Sequence, residues 1–282
     1  MSRMSEAPRE RPIAVFDSGV GGLTVLHELL VALPGEDFLY LGDTARFPYG
    51  EKTEDELRAF ALEIAEHLLA LGAKLLVVAC GSATAAALPL LRERLADADV
   101  DVVGVIEPAA QLAVEATRSG RIGVLATPAT TASGAFARVI AAGAPGAHVE
   151  SVACPDLAPI IQSGFPFDER VVETVRRYTA PLRAADVDVV NLGSTHYPLV
   201  APMLQRMLGR GVRLISSGEG VARAVERALE ARQLLSGRAV EGEYRFLTSG
   251  DVESFRALGT RFLQMPLGEI EQVVLTPEEV AA

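Results

Sequence analysis

Residues 74–88, Lys-Leu-Leu-Val-Val-Ala-Cys-Gly-Ser-Ala-Thr-Ala-Ala-Ala-Leu, constrain the fold more than any other stretch of this chain. The short apolar run Leu75–Ala79 reads as a strand buried on both faces, which is the pattern of a parallel sheet. Cys80 and small polar residues end it, and an alanine-rich helical stretch follows. A turn of small residues between such a strand and its helix opens the crevice where α/β folds bind ligands. Cys80 thus falls at the carboxyl end of a buried strand, close to a helix N-terminus, where a lowered thiol pKa is expected. A buried structural cysteine fits the same spacing.

The pattern repeats along the chain. Ile13–Phe16, Phe38–Leu41, Leu75–Ala79 and Val102–Val105 read as the strands of one unit. Arg121–Thr127, Val149–Ala153, Val187–Leu192 and Val212–Ile215 read as the strands of a second, in the same order. In that comparison Cys154-Pro155 sits where Gly42-Asp43 sits, and Ser194 sits where Cys80 sits. Val25–Leu33 and Glu54–Leu71 read as helices, the second with Leu57, Phe60, Ile64, Leu68 and Leu71 at helical spacing. Beyond Glu219, a helix over Val221–Leu235, a strand over Tyr244–Thr248 and a helix over Val252–Phe262 are too little for a third domain. The expected fold is α/β: two pseudo-symmetric doubly wound α/β domains with the active site in the cleft between them. Residues 1–106 plus 218–282 are expected to form the first domain and 107–217 the second. Met1–Pro12, polar and charged in both signs, reads as a flexible tail.

Composition narrows the partners. A net charge of −11 at pH 7 argues against nucleic acid or an anionic membrane surface. No apolar run approaches a membrane span. Cys80 and Cys154 are the two cysteines of the chain, too few for a disulfide framework, so a reducing cytoplasm is the expected setting. Lys52 lies in a polar segment and Lys74 at the wrong end of a strand, so neither is placed for a pyridoxal Schiff base. His27, His67, His148 and His196 are scattered, without metal-ligand spacing. Glycines in Asp17-Ser18-Gly19-Val20-Gly21-Gly22-Leu23-Thr24 suit a ligand approaching the backbone. A dinucleotide fingerprint would need glycine at Thr24 and leaves Asp43 as its acidic partner, a weak signal.

Four motifs together are more specific: Asp17-Ser18-Gly19-Val20-Gly21-Gly22, Gly42-Asp43-Thr44-Ala45-Arg46-Phe47-Pro48-Tyr49-Gly50, Ala79-Cys80, and Thr195-His196-Tyr197-Pro198. The combination resembles the glutamate racemases, cofactor-independent members of the aspartate/glutamate racemase superfamily, from Ile13 to about Leu263. The resemblance implies interconversion of L- and D-glutamate for peptidoglycan by two cysteines, one on each face of Cα. Cys80 resembles the cysteine that acts on D-glutamate, and Asp17 the carboxylate that assists it. His196 resembles the helper of the second cysteine. Ser18, Pro48, Tyr49, Gly50 and Thr195 match substrate-contacting positions, and Thr127, Thr130 and Thr131 lie in a loop like the family's carboxylate-binding loop. The resemblance also implies a homodimer, no cofactor and no metal.

This chain departs from the family at four places. The second cysteine is Ser194, and a hydroxyl without an activating base is a poor proton carrier. Gly81 stands where the family has Asn, which removes two donors and one acceptor; Ser82 stands for Thr. Gln162 corresponds to a family Glu. Cys154 ends a different strand and reads as structural. Three readings follow: a racemase with a substituted second acid/base, a one-cysteine relative with other proton chemistry such as a decarboxylase, or a glutamate-binding protein on this scaffold.

Overall fold

The computed structural model describes residues 7–164 and 168–275. The strands are β1 (Ile13–Asp17), β2 (Phe38–Gly42), β3 (Leu75–Val78), β4 (Asp101–Gly104), β5 (Arg121–Ala126), β6 (His148–Ala153), β7 (Val189–Gly193), β8 (Arg213–Ile215), β9 (Tyr244–Thr248) and β10 (Ile270–Gln272). The helices are α1 (Leu23–Ala32), α2 (Glu54–Ala70), α3 (Gly81–Leu95), α4 (Ile106–Ala116), α5 (Pro128–Ser133), α6 (Ala135–Gly143), α7 (Leu157–Gln162), α8 (Glu169–Ala184), α9 (Ala201–Leu208), α10 (Ser217–Ala231) and α11 (Val252–Leu263).

The strands form two parallel sheets, one of order β10-β9-β2-β1-β3-β4 and one of order β6-β5-β7-β8. β1, β2, β3 and β7 are buried along their whole length, as parallel strands flanked by helices on both faces must be. The fold is therefore α/β, with the two sheets expected from the repeated pattern. α10 leaves β8 of the second sheet and packs against α1 and α4. The chain then returns through β9 and β10 to the outer edge of the first sheet.

Strand register makes the internal symmetry quantitative. β1 and β3 pair Ile13 with Leu75 and Phe16 with Val78. β5 and β7 pair Ile122 with Val189 and Leu125 with Leu192. Stepping two residues on from Val78 and from Leu192 reaches Cys80 and Ser194, so these two hold equivalent positions. By the same registers Ser18 corresponds to Thr127 and Asp17 to Ala126, so the first unit's carboxylate has no counterpart in the second. β1–β2 and β5–β6 match Phe38 with Val149. Cys154 therefore corresponds to Asp43, and the expected match of Cys154-Pro155 with Gly42-Asp43 is off by one. A one-residue slip turns every side chain to the other face of the strand.

Other boundaries also move. α10 begins at Ser217, ahead of the expected Val221, because its first turn is made of small residues that carry no apolar period. β10 was not anticipated: Ile-Glu-Gln is too short for alternation to register, and pairing with β9 creates it. Within the stretch read as a tail, Pro8–Glu10 form a 3-10 turn, and the Arg9 carbonyl accepts from Lys74 Nζ at 2.6 Å. Residues 1–6 lie outside the described residues.

Candidate active site

The carboxyl ends of β1, β3 and β7 meet in one cleft of about 460 Å³, counted to its mouth. Asp17, Ser18, Pro48, Tyr49, Gly50, Cys80, Gly81, Ser82, Thr127, Ser194, Thr195 and His196 all line it. The two expected acid/base positions thus share one space, contributed by different sheets. Thr130 stands behind this lining, fully buried, with its hydroxyl 3.0 Å from that of Thr127. Thr131 does not line the cleft, and its buried hydroxyl has no partner among the described residues. Cys154 is buried outside the cleft lining.

Asp17 ends β1 and is almost fully buried. Its Oδ2 accepts from the Gly22 amide at 2.6 Å and from the Thr195 hydroxyl at 3.3 Å. The second bond crosses between units. So does the bond from the Thr24 hydroxyl to the Thr195 carbonyl, 3.0 Å long. Thr24, where a dinucleotide site would need glycine, instead ties the two units together. Asp43, its proposed acidic partner, is also committed. It accepts from Tyr49 Oη, from Arg46 Nε at 2.6 Å and from Ser249 Oγ at 2.6 Å. This network fixes Tyr49 and the loop that follows β2, leaving no free carboxylate for a ribose.

Cys80 occupies the N-cap position of α3 without a side-chain capping bond. The expectation of a lowered thiol pKa is overturned. Burial, with the negative charge of Asp17 next in weight, pushes the Cys80 thiol up to about 12. The helix N-terminus offers some compensation through the Ala83 amide, but removing the thiolate from water costs more. Burial likewise pushes Cys154 up to about 12.

Ser194 accepts from the His196 amide at 3.4 Å. His196 Nε2 lies 2.7 Å from Gln162 Oε1, so Gln162 favours the tautomer with the proton on Nε2. Burial drives the His196 pKa down to about 4, only partly opposed by Asp17. The imidazole is packed against Phe47, 5.6 Å between ring centroids, and edge-on to Phe262 at 5.3 Å. Neither aromatic is among the expected site residues: Phe47 lies within the second motif but carries no group that its chemistry singles out, and Phe262 lies far along the chain. Pro155, Ala158 and Pro159 were missed too; they supply apolar wall from the second unit.

Gly81 has a close neighbour. A Cβ there would lie 2.7 Å from the Gly193 carbonyl oxygen, so β7's end abuts the start of α3 with no room for a side chain. Gly50 makes a similar approach, a Cβ falling 2.9 Å from Thr127 Cβ. Both contacts join the two units across the cleft mouth.

Two equivalent strand ends, one from each sheet, thus bring Cys80 and Ser194 to one cleft, an arrangement that suits chemistry on both faces of a bound carbon. The chain belongs to the Asp/Glu/hydantoin racemase family, whose profile matches residues 22–225. Within it, the relatives are more particular. The glutamate racemase of Geobacter metallireducens is 43% identical over 269 residues, which is 95% of this chain and 98% of that protein. The crystal structure of a glutamate racemase from Bacillus anthracis superposes with a TM-score of 0.90 at 36% identity, covering 95% of this chain and 98% of that one. A glutamate racemase from Francisella tularensis, solved in complex with D-glutamate, gives 0.88 at 33% identity over 95% and 98%.

Proposed function

We propose that this chain is a cofactor-independent glutamate racemase of the bacterial cytoplasm that acts asymmetrically on its two substrate enantiomers. The register equivalence of Cys80 and Ser194 carries the reading: unlike groups at matching strand ends of one cleft would face a bound substrate from its two sides. D-glutamate is the product expected to feed peptidoglycan, and a homodimer is the expected assembly.

On the Cys80 side, the thiol must first give its proton to water in the open cleft. The substrate's ammonium supplies the positive charge that offsets burial and the field of Asp17. The thiolate then takes the Cα proton of D-glutamate, leaving a carbanion. The hydroxyls of Ser18, Ser82 and Thr127 line the cleft and are the donors expected to hold the carboxylates, while Tyr49 and Thr195, whose hydroxyls donate to Asp43 and Asp17, shape its wall. Inversion requires a proton from the Ser194 side. A hydroxyl is a far weaker acid than a thiol, and His196 beside it is neutral at physiological pH. Return of the proton from Cys80 is the easier path, and the thiol exchanges with water whenever the cleft opens.

In heavy water, D-glutamate is therefore expected to take up deuterium at Cα while keeping its configuration, and L-glutamate to exchange far more slowly. Loss of one general acid/base typically costs ~10²–10⁴-fold, so net racemisation should rise by that order in Ser194→Cys. Mass spectrometry and chiral separation after incubation with each enantiomer read both effects. Equal exchange of the two enantiomers would mean that another group serves the second face. Binding without exchange of either would favour a glutamate-binding protein.

A further inference from the structure

Pro48, Tyr49 and Gly50 form part of the cleft wall and are carried by the segment between β2 and α2. The start of that segment is fastened to the end of β9. Thr44 Oγ1 lies 2.8 Å from Thr248 Oγ1, and the Ala45 amide donates to Ser249 Oγ at 3.1 Å. Among the described residues, one hydrogen bond ties 46–50 to a further element: Arg46 Nη1 donates to Glu63 Oε2 of α2 at 2.5 Å. No described residue of α2 lines the cleft itself.

Arg46 spans two carboxylates. Its Nε donates to Asp43 at 2.6 Å, and Asp43 accepts from Tyr49 Oη. A guanidinium can close bidentately on one carboxylate. Here it gives one prong to each, and Arg46 Nη2 and Glu63 Oε1 stay buried without a partner among the described residues. Phe60 completes the joint. The Arg46 guanidinium carbon lies 4.2 Å from its ring centroid, and the Tyr49 ring lies 5.6 Å away. Spacing of three residues puts Phe60 and Glu63 on one face of the helix. The helix has its own capping box and a buried stripe of Leu57, Ile64 and Leu68. The joint therefore holds the segment to the helix rather than the helix to the fold.

We propose that Arg46 is a positioning residue of the cleft, with Glu63 and Phe60 as the anchor from which it holds Pro48, Tyr49 and Gly50 against a bound amino acid. That the amino acid is glutamate rests on the racemase reading; the joint does not.

The test breaks the joint from α2, outside the cleft. Glu63→Ala strands no charge, because Arg46 keeps Asp43. Alkylation of Cys80 by iodoacetamide, followed by mass spectrometry with Cys154 as control, reports how firmly the wall covers the cleft. Calorimetric titration with D-glutamate reports binding. In Glu63→Ala, Cys80 should react roughly 3–30-fold faster and D-glutamate bind weaker by a similar factor, the range of coupling between contacting residues, with the Cys154 rate unchanged. Glu63→Gln keeps an acceptor for Nη1 and should recover most of both effects. Arg46→Lys, a point charge that cannot reach two carboxylates, should resemble Glu63→Ala. Should Glu63→Ala fail to fold, Glu63→Leu carries the same test. A joint that served stability alone would lower the melting temperature and leave both readouts at the parent values. An unchanged Cys80 rate or affinity in Glu63→Ala, a rise shared by Cys154, no rescue by Glu63→Gln, or a parent-like Arg46→Lys each overturns the proposal. If the parent chain fails to bind D-glutamate, the racemase reading falls and the Cys80 rates alone judge the joint.

Discussion

At Gly81 and His196, single residues decide how the cleft works. With 2.7 Å between a hypothetical Cβ at Gly81 and the Gly193 carbonyl, Gly81→Ala must push α3 and β7 apart. Overpacking of this kind costs ~1–3 kcal/mol, here spent on opening the cleft rather than on either sheet. D-glutamate affinity is expected to fall roughly 5–100-fold, with thermal stability nearly unchanged; calorimetric titration and a melting curve check the two parts. A melting point that fell while affinity held would place the strain inside the first unit instead. His196 supplies a pH signature. Its folded pKa of about 4 lies below the ordinary value of 6.5, so the unfolded chain takes up the proton first. Its stabilising contribution is complete above about pH 6.5 and is lost as pH falls toward 4, ~3 kcal/mol in all. Denaturant midpoints of the parent chain should drop more steeply over that interval than those of His196→Gln. Parallel slopes would show that the imidazole stays protonated in the folded state.

Among the elements, α11 has the clearest link to the site. Asp251 caps it, accepting from the Ser254 amide at 2.8 Å. The helix sets Phe255 against Tyr40 and Phe262 against His196. Tyr40 in turn donates to the Gly19 carbonyl at 2.9 Å in the turn after β1. Asp251→Ala should cost ~1 kcal/mol as a lost cap, and fraying should reach the site through Phe262. The expected outcome is a modest drop in denaturant midpoint with loosened amide protection over 252–263, measured by hydrogen exchange. Protection unchanged there would assign the helix's stability to burial of Phe255, Phe262 and Leu263 alone.

Across the whole molecule, one buried ion pair anchors the first unit at the end remote from the cleft. Lys74 Nζ donates to Glu36 at 2.5 Å, to the Arg9 carbonyl at 2.6 Å and to the Leu234 carbonyl at 2.9 Å. Glu36 also accepts from the Ser236 amide at 2.7 Å. All three ammonium hydrogens are thus used, and the segment after α10 is fastened where β2 and β3 begin. Lys74→Met strands the Glu36 carboxylate in the interior and should cost ~3–5 kcal/mol. Lys74→Met with Glu36→Leu should recover much of that loss, since a paired apolar replacement leaves no buried charge. Urea denaturation of the three proteins measures both steps, and a double variant no better than the single would mean the backbone carbonyls, not the charge, dominate.

The order of strand, turn and helix was readable along the chain because it depends on neighbours: short continuous apolar runs, helical stripes, and small residues at the turns. That was enough to put Cys80 and Ser194 at matching strand ends and to anticipate two parallel sheets. The motif residues of the cleft were legible for the same reason, since each sits within a few positions of a strand end. Tertiary structure alone decided what those residues experience. The Cys80 pKa rises because burial depends on atoms from distant segments, and a local rule about helix ends could not anticipate that balance. Phe47 and Phe262 reach His196 from remote parts of the chain, and the abutment of Gly81 on Gly193 exists only once two sheets face each other. The offset of Cys154 against Pro155 belongs here too, because register is set by which backbone groups pair across strands, and no segment carries that information by itself.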